Sequence, residues 1–244
     1  MSKSSTSQTL RVGVLSDFHG SHKRPAFDYF VAQTQPDLIL CCGDLQDYRP
    51  YNVPFKFIRG NHEDWDLLAA LAAGTKGVRN LEYLTDGQRL SLAGASLLGI
   101  GGNWSPTGKT APRYIGPAYL ASLHSSRADI VLSHETPLHY ANDPSHGRTL
   151  EPLRELCAVM SPKLWFSGHH HYWETERLGR TQIISLGRWP HEWVVLDIDR
   201  GALSWERWAP ANPADYESRL PRWRTAEQVQ KRELLSLERR GKRR

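Results

Sequence analysis

Five short segments of this chain carry carboxylate, amide and imidazole side chains of the kind that bind divalent metal ions. In chain order they are Asp17-Phe18-His19, Gly43-Asp44, Gly60-Asn61-His62-Glu63, His134 and Gly168-His169-His170-His171. Two neighbouring divalent ions repel each other, so a two-metal centre needs a bridging carboxylate and further nitrogen and oxygen ligands. Two Asp, one Asn and four His fit that need, and the mixture suits Mn, Fe or Zn better than Ca. The chemistry expected of such a centre is hydrolysis by an activated water.

Each segment follows an apolar run that is rich in strand-forming residues. The runs are Leu10–Ser16, Asp37–Cys42, Val53–Arg59, Ala128–Ser133 and Lys163–Ser167. Loops that follow buried strands are where α/β proteins place their ligands, so we expect the five segments to meet at one edge of a sheet. The spacing of two predicts that Asp17 and His19 face the same side of an extended segment, as do His169 and His171, while His170 points elsewhere.

The remaining elements indicate an α/β fold with two sheets. Predicted helices at Lys23–Gln35 and Glu63–Ala73 alternate with the first strands, which favours a parallel-rich sheet. Ala93-Gly94 indicates a hairpin within 88–99, and Pro117–Ser125 and Thr149–Met160 are predicted helices. The C-terminal half predicts short antiparallel strands that form a second sheet packed on the first; they are Tyr172–Leu178, Thr181–Leu186, Glu192–Ile198 and Ala202–Trp208. The expected fold is a four-layer α/β/β/α sandwich.

The ordered set D-x-H, G-D, G-N-H-E, H and G-H-x-H resembles the calcineurin-like metallophosphoesterase superfamily. The resemblance implies the same four-layer sandwich and a phosphoester hydrolase with two divalent ions, Mn being favoured and Fe, Zn or Ni the alternatives. Carried over by position, it implies a first metal held by Asp17, His19, Asp44 and His171. It implies a second metal held by Asp44, Asn61, His134 and His169, with Asp44 bridging. It implies that His62 donates a proton to the leaving oxygen.

Several patches, among them Leu40–Gln46 and Ser133–Pro137, resemble RNA lariat-debranching enzymes. Many of those enzymes have Cys where this chain has Asp17, so the resemblance indicates phosphodiesters, including those of nucleic acid, and not lariats in particular. We therefore predict a phosphodiesterase or nuclease, with Trp104 and His139 as candidate substrate contacts. Trp104 is alternatively a core residue.

Two other functions are open to the sequence. A phosphomonoesterase, including a protein Ser/Thr phosphatase, would use the same metals, but GDLQDY at 43–48 lacks the Arg that the superfamily's protein phosphatases have there. A non-catalytic scaffold is disfavoured by the intact His62 and ligand set.

Charge divides the 244-residue chain unevenly. The formal net charge is +5, and residues 219–244 carry ten Lys or Arg against three Glu. We expect a disordered N-terminus (1–9), a catalytic domain (10–209), and a Pro-containing linker with a basic helix or tail (210–244). The sequence leaves two interpretations of this last segment open: a helix that packs on the catalytic domain by its Leu face, or an arm that contacts an anionic partner, nucleic acid in the first place. Three Cys, no apolar leader and no span of about 20 apolar residues predict a cytoplasmic protein without membrane insertion. The sequence leaves the oligomeric state open.

Overall fold

The computed structural model describes residues 9–105, 107, 112–138 and 151–209. The predicted basic segment 210–244, the N-terminal residues 1–8 and His139 lie outside this described part. Within it, no helix is long and apolar enough to cross a bilayer.

The described part is a mixed α/β structure. Its helices are α1 (Arg24–Thr34), α2 (Trp65–Ala72), α3 (Pro117–Ser122) and α4 (Glu151–Met160). Its strands are β1 (Leu10–Leu15), β2 (Leu38–Cys41), β3 (Phe55–Phe57), β4 (Leu81–Tyr83), β5 (Arg89–Leu92), β6 (Ala95–Ile100), β7 (Asn103–Trp104), β8 (Tyr114–Ile115), β9 (Ile130–Ser133), β10 (Leu164–Ser167), β11 (Glu174–Leu178), β12 (Thr181–Ser185), β13 (Trp193–Asp199) and β14 (Ala202–Trp208).

Two six-stranded mixed sheets carry the fold, as predicted. The first has the order β14-β13-β1-β2-β3-β4, and the second has the order β11-β12-β10-β9-β6-β5. Strands β1 to β4 are parallel in the first sheet, and β6, β9, β10 and β12 are parallel in the second. The other strands of these two sheets, β5, β11, β13 and β14, pair antiparallel, and β13 lies between β14 and β1. Strands β7 and β8 form a separate two-stranded parallel pair.

The last two strands differ from the sequence prediction, which placed them in the second sheet. Strand β13 pairs antiparallel with β1, so β13 and β14 extend the first sheet. Burial accounts for the place of β13 in the first sheet, because Val194, Leu196 and Ile198 alternate along this strand and are fully buried between the sheets. Three short strands, β4, β7 and β8, were not predicted, since two or three residues give too little periodicity.

The main core lies between the two sheets. It joins side chains from β1 and β2 with side chains from β9 and β10, including Val14, Leu40, Leu132 and Phe166. A second apolar cluster covers the other face of the second sheet under α3 and α4, where Trp165 and Leu156 are fully buried. Aromatic rings cover the outer face of the first sheet, where Phe30 of α1 packs on Trp193 with ring centroids 4.9 Å apart. The layers therefore follow the predicted α/β/β/α order.

Candidate metal centre

The five polar segments follow the carboxyl ends of parallel strands in both sheets. Asp17 follows β1, Asp44 follows β2, and Asn61 lies in the loop after β3. His134 follows β9, and His169 lies in the loop after β10. Hydrogen bonds cross between the sheets here: the His134 Nδ1 atom lies 2.8 Å from the Cys42 carbonyl oxygen, and the His169 amide donates to Asp17 Oδ2 at 3.0 Å. The seam between the sheets therefore gathers the polar groups.

The first group of side chains consists of Asp17, His19 and His171. Asp17 is fully buried, and its Oδ1 atom lies 3.2 Å from His171 Nε2 and 3.8 Å from His19 Nε2. The two imidazole Nε2 atoms are 3.3 Å apart. Ser16 Oγ donates to the other oxygen, Asp17 Oδ2, at 2.7 Å. Oδ1 itself is buried and accepts no hydrogen bond.

The backbone around these side chains is not extended, contrary to the prediction from their spacing. Asp17, His19, Asp44, His169 and His171 all have positive φ, between 52° and 69°. These left-handed residues turn the chain out of the extended conformation after β1, β2 and β10. Asp17 and His19 still converge, but by way of these turns.

The second group centres on Asp44. Its Oδ1 atom accepts the backbone N–H groups of Asn61 and His62, each at 2.8 Å, and lies 3.6 Å from His134 Nε2. Its Oδ2 atom lies 3.7 Å from His19 Nε2. His134 Nε2 is 3.0 Å from Asn61 Oδ1. One carboxylate thus faces both groups of side chains, one oxygen to each.

His169 and His170 lie at the edge of the second group. The ring of His169 is 5.1 Å from that of His134 between centroids, and its Nε2 atom is 3.1 Å from the Asn103 side-chain nitrogen. His170 points away from Asp17 and bonds to Glu135 Oε1 at 2.9 Å. Burial opposes the charge of Glu135, but His170 and the neighbouring imidazoles outweigh burial and lower the pKa of Glu135 to about 2. The carboxylate and His170 therefore form a buried, hydrogen-bonded pair.

The local electrostatics suit metal ligands, which must be deprotonated. Burial lowers the pKa of His19 to about 4, against the opposing effect of Asp17 and Asp44. Burial also lowers the pKa of His169 to about 4. For Asp17, burial raises the pKa but the close His171 and the other imidazoles outweigh it, so this pKa falls well below its usual range. For His134, burial lowers the pKa, but the Asp44 and Asp17 carboxylates outweigh burial and raise it. At neutral pH the centre therefore presents the ionised Asp17 beside the neutral imidazoles of His19 and His169.

The geometry fits divalent cations. His134 donates its Nδ1–H to a carbonyl oxygen, so its Nε2 lone pair faces the oxygens of Asn61 and Asp44. Atoms that share one ion at 2.0–2.2 Å lie roughly 3.0–3.5 Å apart. The unbonded Asp17 Oδ1 and the facing Nε2 atoms of His19 and His171 have nearly this spacing. A cation would satisfy acceptor atoms that the protein itself leaves facing one another.

His62 lies at the mouth of the centre. Its side chain is exposed, and its ring is 5.9 Å from that of His19 between centroids. Glu63 and Asp64, the two acidic residues that follow His62 in the chain, contact other groups. Asp64 caps α2 by accepting the Leu67 N–H at 3.1 Å.

Glu63 shapes the loop that carries Asn61 and His62. It is buried, and its Oε1 atom accepts the N–H groups of Gly60 at 3.0 Å and Leu45 at 3.3 Å, while Oε2 accepts the Tyr48 hydroxyl. Burial is the main reason that the pKa of Glu63 rises to about 7. Sequence reasoning missed this role and those of Gln46 and Asn103, because their partners are close in space and not in the motif.

Trp104 lies beside the centre, in β7. Its ring packs against the apolar cluster under α3 and α4, and its backbone N–H donates to Glu135 Oε2 at 3.4 Å. This packing matches the core alternative that the sequence left open for Trp104. Its contact with substrate stays a prediction.

The family follows from the match of residues 10–173 to the model for calcineurin-like phosphoesterases. The chain belongs to that family. Members are metal-dependent hydrolases of phosphoesters, and the buried groups described above are candidate metal ligands.

The chain is similar to two curated relatives named lariat debranching enzyme. It is 27% identical over 203 residues to the one from Drosophila melanogaster and 26% identical over 202 residues to the one from Drosophila pseudoobscura pseudoobscura. These alignments span 58% and 57% of the chain, and each covers 38% of the relative. The chain therefore spans about two fifths of the length of the relatives it matches.

Solved structures show the same fold at low identity. A Plasmodium protein described as GAP50, the anchor in the inner membrane complex, superposes with a TM-score of 0.54 at 15% identity, covering 82% of this chain and 84% of that one. A putative 5'-nucleotidase from Staphylococcus aureus gives 0.53 at 15% identity, covering 94% of this chain and 58% of that one. Because one fold hosts several functions, function has to be argued from the site.

The packing of Gly60 gives a first test of the centre. A Cβ atom at this position would overlap Oδ1 and the amide nitrogen of Asp44, and the residue's φ lies outside the left-handed region. We expect Gly60→Ala to displace the Asp44 carboxylate and to weaken Mn binding by about ten- to a hundredfold. Isothermal titration calorimetry with Mn measures this.

Gly77 supplies the matched control, because a Cβ atom there meets nothing within 4 Å. Gly77→Ala should bind Mn like the unaltered protein. Equal Mn affinity in Gly60→Ala and Gly77→Ala would contradict a role for the Asp44 position in metal binding.

Proposed function

We propose that this protein is a two-metal phosphodiesterase that hydrolyses P–O bonds, with nucleic acid as its substrate class. The observation that carries the two-metal part is the orientation of Asp44, whose Oδ2 atom faces His19 and whose Oδ1 atom faces His134. In a centre with one ion, only one of these contacts would be needed.

The ligands of the two ions are assigned on this basis. Asp17, His19, Asp44 and His171 hold the first ion, and Asp44, Asn61, His134 and His169 hold the second. Support for the first set is the convergence of Asp17 Oδ1 with the Nε2 atoms of His19 and His171, which lie 3.2–3.8 Å from one another. When bound, the ions supply Lewis acidity and an activated water nucleophile near neutral pH. Mn is the proposed metal, since nitrogen and oxygen donors without thiolate suit it and the candidate ligand groups among the described residues contain no cysteine.

His62 is proposed as the general acid. Water forms a new P–O bond to phosphorus as the P–O bond to the leaving group breaks, and the proton on the His62 imidazole passes to the leaving oxygen. His62 can reach a substrate because its side chain is exposed beside His19. Its backbone N–H is held by Asp44 Oδ1 at 2.8 Å, so the position of the acid is fixed relative to the proposed bridging ligand. An imidazole exchanges protons near neutral pH without extensive tuning.

The substrate class rests on two further observations. The curated relatives are named lariat debranching enzymes, which supports a phosphodiester over a monoester. Residues 219–244 carry ten basic side chains against three acidic ones, and such a segment suits a polyanion.

Substrate preference is the direct test of the proposal. We expect the Mn-loaded protein to hydrolyse bis-p-nitrophenyl phosphate and labelled single-stranded RNA or DNA, because the proposed ions and the general acid His62 act on the P–O bond of a diester. Asp44→Ala should lose both ions and this activity together, since one carboxylate serves both sites. Metal content and product release measure the two effects.

Two outcomes would contradict this. Hydrolysis of p-nitrophenyl phosphate alone would support a phosphomonoesterase instead. Retention of one ion with unaltered affinity in Asp44→Ala would remove the bridging role.

The role of His62 has a separate test. We expect His62→Gln to keep both ions, because its side chain is not among the proposed ligands, while diester hydrolysis slows by roughly 10²–10⁴-fold through loss of the proton donor. Initial rates and metal content are measured on the same preparation. The control is His124→Gln, a histidine that follows α3 and lies outside the proposed centre. Full activity in His62→Gln would exclude the general-acid role.

The basic segment also makes a prediction. We expect glutamine at its last five basic positions (Arg239, Arg240, Lys242, Arg243 and Arg244) to weaken polynucleotide binding and to make its salt dependence shallower. Turnover of bis-p-nitrophenyl phosphate should stay the same, because a small diester needs only the centre. Fluorescence anisotropy over a salt series measures binding. A control variant, Arg177→Gln with Arg180→Gln, alters two exposed arginines of the catalytic domain. An unaltered salt slope in the tail variant would exclude this partner site.

A further inference from the structure

Two imidazoles of the centre each place Nδ1 beside a hydrogen-bond acceptor, while Nε2 faces the other proposed ligands. His19 Nδ1 lies 3.0 Å from Gln46 Oε1, and His134 Nδ1 lies 2.8 Å from the Cys42 carbonyl oxygen. A proton on Nδ1 leaves the Nε2 lone pair free in both rings. Such a bond fixes the tautomer and the orientation of a metal-binding histidine.

His169 has a comparable neighbour in Asn103. The distance from His169 Nε2 to the Asn103 side-chain nitrogen is 3.1 Å, and the other amide atom, Asn103 Oδ1, is buried and accepts no hydrogen bond. The nitrogen and oxygen of an amide have nearly the same shape, so its hydrogen-bond network decides which atom faces His169. With the amide turned by half a rotation, Oδ1 would accept the Nε2–H of His169.

The two orientations have opposite chemical consequences. If Asn103 donates to Nε2, that lone pair is occupied and the proton of the neutral ring lies on Nδ1, so neither nitrogen is free for a metal. If Asn103 accepts from Nε2–H, the Nδ1 lone pair is free. The metal role proposed for His169 therefore requires Asn103 to be the acceptor.

Asn103 is firmly positioned for this contact. Its backbone N–H donates to the Arg113 carbonyl at 2.8 Å, and the preceding Gly102 N–H donates to the Arg59 carbonyl at 2.8 Å. Gly102 has a φ of 82°, and a Cβ atom there would overlap the Arg59 guanidinium. The guanidinium is in turn bonded to Asp86, with Arg59 Nη2 donating to Asp86 Oδ2 at 2.6 Å. Gly101 and Gly102, which follow β6, thus let the chain pass close to the buried Arg59 and place Asn103 beside His169.

We infer that Asn103 is a positioning residue that accepts the Nε2–H of His169 and directs the Nδ1 lone pair to the second metal. This inference rests on the two-metal part of the proposed function. It assigns a role to the Gly101-Gly102-Asn103 segment, which none of the five motifs includes. Gln46 likewise fixes the tautomer of His19 at the first metal, by accepting from Nδ1. Gln46 is exposed, so water can replace its side chain.

The tautomer of His169 is the first measurement. Long-range ¹H–¹⁵N NMR of the metal-free, full-length protein reports which ring nitrogen carries the proton, and the His169→Ala spectrum assigns the signals. We expect the proton on Nε2 in the unaltered protein and in Asn103→Asp, because both side chains offer an oxygen. In Asn103→Leu we expect a mixture of tautomers. A proton on Nδ1 in the unaltered protein would overturn the inference whether or not the protein binds two metals.

Metal binding gives the second measurement. We expect Asn103→Leu to weaken one of the two Mn sites by about ten- to a hundredfold and to leave the other unchanged. Asn103→Asp should retain both sites, whereas a purely structural or donating role would make the Asp and Leu variants equally weak. Gln46→Met is the comparison at the first site, and its effect should be smaller. Thermal unfolding identifies a variant that fails to fold.

The outcomes separate the two proposals. Fewer than two Mn ions in the unaltered protein would contradict the two-metal proposal, while the tautomer would still decide the role of Asn103. Two ions bound equally well by the unaltered protein and by Asn103→Leu would overturn the inference and leave the two-metal proposal intact.

Discussion

The burial of two carboxylates at the seam between the sheets is the constraint on which the centre depends. Asp17 and Asp44 have 0% and 1% exposure, and a buried carboxylate is costly unless other groups compensate its charge. Asp44 Oδ1 accepts two backbone N–H groups, and Asp17 Oδ2 accepts Ser16 Oγ–H and the His169 N–H. The other oxygen of each carboxylate, Asp17 Oδ1 and Asp44 Oδ2, faces imidazole nitrogens. Much of the loop structure around the seam supplies the hydrogen-bond donors that these carboxylates accept. A ligand that binds only the folded chain would add to the stability of the fold.

The loops meet this constraint at a conformational cost. Five of the seven proposed ligands are non-glycine residues with positive φ, a region that L-residues avoid by roughly 1–2 kcal/mol each. The strain is tolerated because the loops are hydrogen-bonded to one another, for example through the His19 N–H donating to the Asp44 carbonyl at 2.8 Å. Strained backbone of this kind concentrates at functional sites.

Much of this arrangement was predictable from the sequence, and the rest required contacts in space. An apolar run before each motif predicted β1, β2, β3, β9 and β10, because buried parallel strands are continuously apolar. The placement of β13 was wrong, since antiparallel pairing with β1 depends on which sheet edge is open and not on the strand's own pattern. Extended geometry at Asp17 and His19 was also wrong, because spacing alone does not reveal a left-handed turn. The surrounding roles of Glu63, Gln46 and Asn103 had no signal in residue type, as each depends on a partner from another strand end.

The bond between Asp17 and the His169 amide joins residues that are 152 positions apart in the chain. Contacts of such long range form only after the intervening chain has been ordered, and the loss of chain entropy makes them slow to form. During synthesis the first carboxylate leaves the ribosome long before its partners from β10. The N-terminal half alone lacks His134, His169 and His171, so the complete centre should assemble as one of the last events of folding. A bound ion would then report that both sheets have been completed and packed together.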